Sequence, residues 1–210
     1  QLHADRKADR DEGGKHGRRS AMIPLDRYPK EITLRDDTRM VLRPMIPEDA
    51  GGLWSFLRQL PELDKSHFHE DVDRREVVEG WAKSLDYDVV LPILAIRGDR
   101  VVGSVTLYRN KTGWKQRIGI VRILIAPDHR QIGLGTAMIR EIRHLGEKVA
   151  LNYLLAEVIE EQQAAVRALE RMGFEKAVVR RNFVNDRNGH LHNLVVLLHP
   201  MSGLEKEIFY

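Results

Sequence analysis

The sequence predicts an α/β (α+β) domain with a mixed, mostly antiparallel central sheet of six to seven strands, flanked by about four helices. Apolar runs with strand periodicity alternate with amphipathic runs of helical periodicity. The elements follow one another in the order β-α-α-β-β-β-α-β-α-β-β, which favours a sheet with helices on its faces. Two pairs of strands are joined by short turns typical of hairpins.

The N-terminal half is predicted to contain a strand, two helices and a β-hairpin, in that order. "MVLRPM" alternates as a strand, and "PEDAGGLWSFLRQL" predicts a helix with Pro47 in its first turn. "DRREVVEGWAKSL" predicts a second helix, since Val78, Trp81 and Leu85 share one face. "VVLPILAIR", a Gly98-Asp99 turn and "VVGSVTLYR" then predict a β-hairpin.

The C-terminal half begins with a third apolar strand, "IGIVRILIA", followed by a glycine-containing turn and the amphipathic run "TAMIREIRHLGEKV". "YLLAEVI" predicts the next strand. "EQQAAVRALERM" predicts a short helix that ends at Gly173 in the C′ position. "AVVRRNFV" and "LHNLVVLLH" predict a closing hairpin.

Composition limits the function classes. The 210 residues suffice for one buried core. The 34 basic and 31 acidic residues are interspersed and leave a net charge of +3, which excludes a strong field for nucleic acid or membrane. The chain has no cysteine, which excludes disulfides, a thiol nucleophile and cysteine-ligated metals. No apolar run is long enough for a membrane span and no hydrophobic signal region opens the chain, so we predict a cytoplasmic protein.

The charged, nearly apolar-free first twenty residues cannot bury enough surface to offset their ordering entropy. We therefore predict a disordered tail over residues 1–25, one domain over residues 26–200 and a C-terminal tail over residues 201–210.

The turn "RQIGLG" at residues 130–135 lies where the apolar strand meets the amphipathic helix. Glycine lacks the Cβ that keeps other backbones away from a ligand, and the first N–H groups of a helix are unpaired. Together these features favour an anion site whose backbone N–H groups wrap a pyrophosphate. The candidate residues are Arg130, Gln131, Ile132, Gly133, Leu134, Gly135 and Thr136.

Two other glycine-turn families do not fit the spacing. A dinucleotide site needs a third glycine, but Ala137 and Met138 stand there, and the turn follows three or more strands rather than the first. A nucleoside-triphosphate loop needs a lysine directly after its last glycine, and Gly135 is followed by Thr136.

The spacing R/Q-x-x-G-x-G/A resembles the acetyl-CoA signature of the Gcn5-related N-acetyltransferase (GNAT) superfamily. "ILIAP" is similar to the strand before that signature, and Gly173-Phe174 to the end of a later helix. The resemblance covers Met40 to Leu198. The run "AEVIEEQQAAVRALERMGF" is also similar to bacterial protein-lysine acetyltransferases of the Pat type. The resemblance implies the GNAT fold, acetyl-CoA as co-substrate and acetyl transfer to an amine.

The resemblance also implies where acetyl-CoA binds. Two strands splay apart, and pantetheine pairs with exposed amides of the first, here Ile123 and Ile125. Gln162 stands where the family usually has asparagine and would face the cofactor from the other wall. Ile132 replaces a frequent lysine or arginine, which removes one charge contact to phosphate.

The catalytic positions depart from the family. Ile120 stands where many members carry glutamate, and Leu169 where many carry a tyrosine that protonates the thiolate. Glu157 is the nearest titratable residue on the splayed strands and the candidate catalytic base; the alternative is an outward residue in solvent. His129, His190 and His192 are the remaining candidates.

The predicted function is acetyl transfer from acetyl-CoA to a primary amine of a protein lysine or a small molecule. The alternatives are a weak or inactive acyl-CoA-binding regulatory module, and an α/β binding domain whose glycines only shape a turn. No metal site is predicted, because His67, His69, Glu70 and Asp71 lie in a polar loop without further converging ligands; a substrate contact suits them better. No nucleic-acid or membrane partner is predicted, and a homodimer is left open.

Overall fold

The computed structural model describes residues 23–65, 68 and 70–201. Residues 1–22 and 202–210, within the two predicted tails, lie outside the described residues, as do His67 and His69. Ile23 and Met201, close to the predicted domain boundaries, are buried and belong to the hydrophobic core.

Eight strands and five α-helices make up the described part. The strands are β1 (Lys30–Thr33), β2 (Arg39–Pro44), β3 (Val90–Arg97), β4 (Arg100–Tyr108), β5 (Ile118–Ile125), β6 (Tyr153–Ile159), β7 (Glu175–Asn185) and β8 (Leu191–Pro200). The helices are α1 (Ala50–Arg58), α2 (Glu62–Lys65), α3 (Arg75–Lys83), α4 (Leu134–Lys148) and α5 (Gln163–Arg171). Short 3-10 turns, Pro47–Asp49 and Pro127–His129, precede α1 and the glycine turn.

The strands form one sheet in the order β1-β2-β3-β4-β5-β6-β8-β7. Neighbours pair antiparallel except β5 and β6, which are parallel. The predicted mixed, mostly antiparallel α/β architecture is confirmed. Strand β1 and helix α2 come in addition to the predicted elements. Both are four residues long, too short for a periodic pattern to emerge from the sequence.

Helices cover both faces of the sheet. A Cβ at Gly103 of β4 would lie 3.1 Å from Met138 Sδ, so α4 packs on that face. The next residue, Ser104, faces the opposite side and lines a pocket together with Leu53 of α1 and Trp81, on α3. Strand β5 therefore lies between α4 on one face and a pocket under α1 and α3 on the other. Among the described residues, none of the helices is long and apolar enough to cross a membrane.

Candidate acyl-CoA and acceptor site

Strands β5 and β6 separate partway along their length. Among the described residues they pair at only three positions, ending with Ile120 opposite Leu155. Strand β5 then runs on to Ile125 and β6 to Ile159 without pairing to each other. A V-shaped gap follows between the two strands, in the middle of the sheet. This gap is the splay that the resemblance implies.

The backbone groups of Ile123 and Ile125 point into this gap. The N–H of Ala126 donates to Val102 O at 2.9 Å, so Ala126 faces β4. In an antiparallel ladder, alternate residues face the same neighbour, so Ile123 and Ile125 face away from β4. Their side chains point toward α4 instead, where a Cβ at Gly135 would lie 3.1 Å from Ile125 Cδ1. The two predicted residues thus combine core side chains with backbone groups open to the gap.

The glycine turn connects the end of β5 to α4. Gln131 and Gly133 both have left-handed backbone conformations, with φ of 66° and 95°. Gly133 is the N-cap of α4, and Ala137 N is the first helical N–H to find its partner, Gly133 O, at 3.1 Å. Over residues 131–136 the described chain shows no backbone N–H donating to a backbone carbonyl. These donors and the positive end of α4 meet at the mouth of the gap, an arrangement that suits an anion.

The side chains of the turn have divided roles. Leu134 is 1% exposed and packs in the core, and Ile132 packs against the core from the turn. Thr136 is exposed in the first turn of α4. For Ile132 and Leu134, only the backbone is therefore available to a phosphate.

Arg35 approaches the turn from the loop between β1 and β2. A Cβ at Gly133 would lie 3.7 Å from Arg35 Cγ and 3.9 Å from Arg35 Nε, and the Arg35 side chain is exposed. Its guanidinium brings a positive charge to the turn, where Ile132 supplies none. Arg35 has no sequence signal that predicts this position, because it lies about 100 positions before the turn and no local pattern connects the two.

Asp64, on α2, connects two of the predicted cofactor residues. Its Oδ1 accepts a hydrogen bond from Gln162 Nε2 at 2.8 Å, and its Oδ2 accepts one from Arg130 Nη2. Arg130 Nε also donates to Ile125 O at 3.0 Å, at the end of β5. Arg130 and Gln162 therefore lie on opposite sides of the gap and meet at one carboxylate. The sequence does not predict a role for Asp64, because the helix that contains it is only four residues long and has no recognisable motif.

Ion pairs hold α2 in this position. Lys65 is 3% exposed, and its Nζ lies 3.0 Å from Asp73 Oδ1. Arg187, in the turn between β7 and β8, reaches the other oxygen of Asp73 at 3.0 Å and lies 3.7 Å from Glu62. The segment that carries Asp64 is thus tied both to its own following loop and to the β7–β8 hairpin.

Glu157 lies on β6 beyond the last position that pairs with β5. Side chains two residues apart share a face of a strand, so Glu157 shares the face of Leu155, which lies opposite Ile120. Ile120 in turn shares a face with Arg122 and so looks toward the pocket side. Glu157 is exposed there, across the gap from β5. Leu169, in contrast, is 3% exposed in α5 and belongs to the core.

The other candidate bases are engaged elsewhere. His129 is 4% exposed; Arg97 Nη1 lies 3.3 Å from its Nε2 and Asp128 Oδ1 lies 2.8 Å from its Nδ1. Both ring nitrogens of His129 therefore lie next to protein side chains. His190 and His192 lie in and beside the β7–β8 turn and contact Asp186. The hydrogen bond to Glu161 and those to Asp186 raise the pKa of His192.

A pocket of about 320 Å³ lies between α1, α3 and the pocket face of β3 to β5. Its walls are mainly apolar, and the loop residues Phe68 and Glu70 contribute to them. Glu70 was among the predicted substrate contacts. Arg122 and Tyr108, which also line the pocket, were missed, since each reads as an ordinary strand residue. Within the described residues, no group of three or more His, Asp or Glu side chains could hold a metal ion.

Comparisons with known proteins give matches in family, sequence and fold. Residues 54–174 match the acetyltransferase (GNAT) family model. The chain is 30% identical over 83 residues to the ribosomal protein bS18-alanine N-acetyltransferase of Escherichia coli strain K12, which covers 40% of this chain and 55% of that protein. The chain thus spans about half the length of the curated relatives it matches.

Solved structures share the fold. The GNAT domain of S. lividans PAT superposes with a TM-score of 0.67 at 19% identity, over 82% of this chain and 96% of that one. A GNAT-family acetyltransferase from Streptococcus pneumoniae gives 0.66 at 21% identity, over 77% and 99%. YncA from Salmonella typhimurium, solved with its cofactor acetyl-CoA, gives 0.66 at 11% identity, over 78% and 95%. The family model matches residues 54–174, which is more than half of this chain, so the chain belongs to the acetyltransferase (GNAT) family.

Proposed function

We propose that this protein is an acetyl-CoA-dependent N-acetyltransferase that acts on a primary amine of a small molecule or a protein lysine. The observation that supports the proposal is that two features occur together at the β5–β6 gap. The backbone groups of Ile123 and Ile125 open into the β5–β6 gap. The N–H groups of residues 131–136, which donate to no backbone carbonyl of the described residues, lie at its mouth. An acyl-CoA needs both, because its pantetheine is an extended amide chain and its diphosphate an anion.

The residues present fit that molecule. Gly133 has a backbone conformation that side chains rarely adopt, and a Cβ at Gly135 would lie 3.1 Å from Ile125 Cδ1, so the glycine lets the first turn of α4 pack closely against β5. In the proposal, residues 131–136 hold the diphosphate, Ile123 and Ile125 hold the pantetheine, and Gln162 contacts it from the α5 side. When bound, acetyl-CoA supplies the activated acetyl thioester.

The chain's contribution to the reaction is orientation and proton transfer. The amine nitrogen forms a bond to the acetyl carbon, the carbon–sulfur bond breaks, and CoA leaves as a thiolate. An amine with a pKa near 10.4 is neutral in only about one molecule in a few thousand at pH 7, so a base is needed to take its proton. We assign this role to Glu157, directly or through water. Because the thiolate is a good leaving group, the absence of a proton donor at Leu169 has little effect on the reaction.

Calorimetric titration with acetyl-CoA tests the proposal. We expect micromolar binding to the wild-type protein, loss of binding in Gly135→Trp, and a weaker but measurable affinity in Gly135→Ala. Gly80→Trp is the matched control, because Gly80 lies in α3 and a Cβ added there would have no atom within 4 Å outside the neighbouring helix backbone. Binding should survive in that variant. Melting curves of all variants show whether they fold. No binding by the wild-type protein would refute the proposal.

A second candidate function, an acyl-CoA-binding regulatory module, is favoured by Ile120 and Leu169, which replace two frequent catalytic residues. CoA release from acetyl-CoA in the presence of an amine panel separates the two. Turnover supports the enzyme, whereas tight binding without turnover supports the module. For either function we propose a cytoplasmic location and no nucleic-acid or membrane partner, supported by the mixed charges of the chain. A homodimer is also compatible with either.

A further inference from the structure

The pocket next to the gap has a volume of about 320 Å³ and a mainly apolar lining. Met45 and Leu57, which line it, are each 1% exposed, so this part of the lining belongs to the hydrophobic core. A cavity of this size suits a small molecule rather than a segment of folded protein. Further apolar side chains of the lining come from α1, the end of α3, β3 and β5, with Leu53, Leu85, Pro92 and Leu124 as examples.

The two charged side chains of the described lining, Arg122 and Glu70, already have partners in the pocket wall. Arg122 Cζ lies 4.7 Å from the ring centre of Phe68 and 5.3 Å from that of Tyr108, and Arg122 Nη1 donates a hydrogen bond to Tyr108 Oη at 3.2 Å. Glu70 Oε2 accepts a hydrogen bond from Trp81 Nε1 at 2.5 Å. Phe68 stacks on Trp81 with ring centres 5.5 Å apart. These five side chains form one continuous layer, in which each charged group contacts other protein groups.

Such a pocket suits an uncharged apolar group. A further ammonium or carboxylate inside it would lose its hydration and would have to compete with the wall contacts for Glu70 or Arg122, so its burial is costly. An alkyl or aryl group, in contrast, gains free energy when its surface leaves water. Besides the two charged residues and Tyr108, the polar side chains of the described lining are the neutral hydroxyl groups of Ser84, Ser104 and Thr106.

The pocket lies against the segment of β5 that borders the gap. Arg122 and Leu124 line the pocket, and Ile123, between them in the chain, opens its backbone to the gap. Paired chains in a sheet lie about 5 Å apart, so an extended ligand in the gap lies within one such spacing of this segment. An amine joined by a few bonds to a group in the pocket therefore reaches the gap, on the face of the sheet where Glu157 lies.

We infer that the acceptor is a small monoamine whose only charged group is the reacting amine and whose uncharged apolar body fills the pocket. This inference rests on the proposed acetyltransferase function and selects among the acceptors that the function leaves open. A polyamine or an amino acid would bring a second charge into the pocket. A protein lysine is attached to a body that is larger than the pocket.

The test compares amines of equal length that differ in charge. CoA release is measured at saturating acetyl-CoA with hexylamine and with cadaverine, the diamine in which an ammonium replaces the terminal methyl group. We expect hexylamine to exceed cadaverine in kcat/KM by about 10-fold or more, because burial of the second ammonium is costly. From propylamine to hexylamine, kcat/KM should rise about three- to fourfold for each added carbon, the factor that corresponds to burial of one methylene. Spermidine and a lysine peptide complete the panel.

A variant that narrows the pocket locates the apolar body. Ser104 is 6% exposed and lines the pocket, so Ser104→Leu fills part of the cavity. We expect kcat/KM to fall about 10-fold for hexylamine and less than about twofold for propylamine, with the Kd for acetyl-CoA unchanged. Ser55→Leu, at an exposed position of α1, is the matched control. If Ser104→Leu does not fold, Thr106→Leu narrows the same pocket. An equal loss for both amines in a folded variant would contradict this placement.

The outcomes separate this inference from the proposed function. Turnover of cadaverine as fast as that of hexylamine, or rates independent of chain length, would overturn the inference, and neither comparison needs a variant. Turnover confined to spermidine or the lysine peptide would also overturn it, although the acetyltransferase function would then stand. Turnover with none of the amines would overturn both.

Discussion

The side chains of Gln162 and Asp64 are joined by a hydrogen bond of 2.8 Å, although 98 positions separate them in the chain. The second Asp64 oxygen binds Arg130, so one carboxylate links both sides of the gap that would receive acetyl-CoA. A carboxylate accepts only, which means that Gln162 must turn its amide nitrogen toward Asp64. We propose that the anionic part of acetyl-CoA competes with the carboxylate of Asp64 for Arg130.

Replacing Asp64 should therefore strengthen cofactor binding. In Asp64→Asn the negative charge disappears while the shape is kept, and we expect the Kd for acetyl-CoA to fall about three- to tenfold, the equivalent of ~1 kcal/mol. Calorimetric titration with acetyl-CoA measures this Kd. Asp73→Asn is the control, since Asp73 forms ion pairs with Lys65 and Arg187, whereas Asp64 pairs with Arg130. Weaker binding in Asp64→Asn would show that Asp64 positions Arg130 and Gln162 and does not compete with the ligand.

Arg35 should contribute to recognition of the diphosphate. Its side chain covers Gly133, and the turn lacks a basic residue at Ile132. We expect Arg35→Gln to raise the Kd for acetyl-CoA about five- to twentyfold, as for one charge-assisted contact, and to flatten the salt dependence of binding. Acetyl-pantetheine, which has no diphosphate, should bind both proteins equally. Arg39→Gln, at the exposed start of β2, serves as the control. An equal loss for the two ligands would contradict a diphosphate contact.

Glu157 should matter for the rate rather than for binding. Glu157→Gln removes the base, and we expect kcat at pH 7 to fall about 100-fold or more. The deficit should shrink as the pH rises toward the pKa of the amine, because more of the acceptor is then already neutral. Glu175→Gln, at the exposed start of β7, should be unaffected. A rate that is unchanged across the pH range would remove Glu157 from the mechanism.

The buried carboxylate Glu141 should stabilise the fold in a pH-dependent way. Burial acts to raise its pKa, but hydrogen bonds from Lys30 and Tyr28 and the charges of Lys30 and Arg27 outweigh burial and hold the pKa below its usual value of 4.5. Its contribution is therefore complete above that pH and is lost as the pH falls below it. We expect Glu141→Gln to lower the free energy of unfolding by about 3 kcal/mol at pH 7.

Denaturant unfolding at pH 7 and at pH 3.5 measures this effect. The difference between Glu141→Gln and the wild-type protein should narrow at the lower pH. Glu31→Gln, on the exposed side of β1, should behave as the wild-type protein at both values. A difference that stays constant would show that packing rather than charge is responsible.

Most elements of the fold could be predicted from local sequence patterns. The hairpin turn at Gly98-Asp99 and the end of α5 before Gly173 follow from residue preferences that act over a few positions, and both agree with the structure. The glycine turn could be located for the same reason, since its left-handed Gly133 and the following amphipathic helix are neighbours in the chain.

Long-range contacts account for what sequence analysis missed. Asp64, Arg35 and Arg122 have no local signature, and each acquires a role only through a partner element in space. Asp64 needs the approach of α2 to α5, and Arg35 needs the β1–β2 loop to reach α4. Arg122 reads as a polar residue within an apolar strand until Phe68 and Tyr108 enclose it. From the sequence alone, Ile132 indicates the loss of a positive charge at the turn. Arg35, which brings a positive charge there, lies in another part of the chain.

The crystal structure of the complex with acetyl-CoA is the most direct test of the central claim. We expect the diphosphate oxygens within hydrogen-bonding distance of the backbone N–H groups at Gly133, Gly135 and Thr136. We also expect the pantetheine to lie along Ile123 and Ile125 in the gap. A complex in which the nucleotide docks elsewhere, or in which side chains fill the turn while the cofactor is bound, would contradict it.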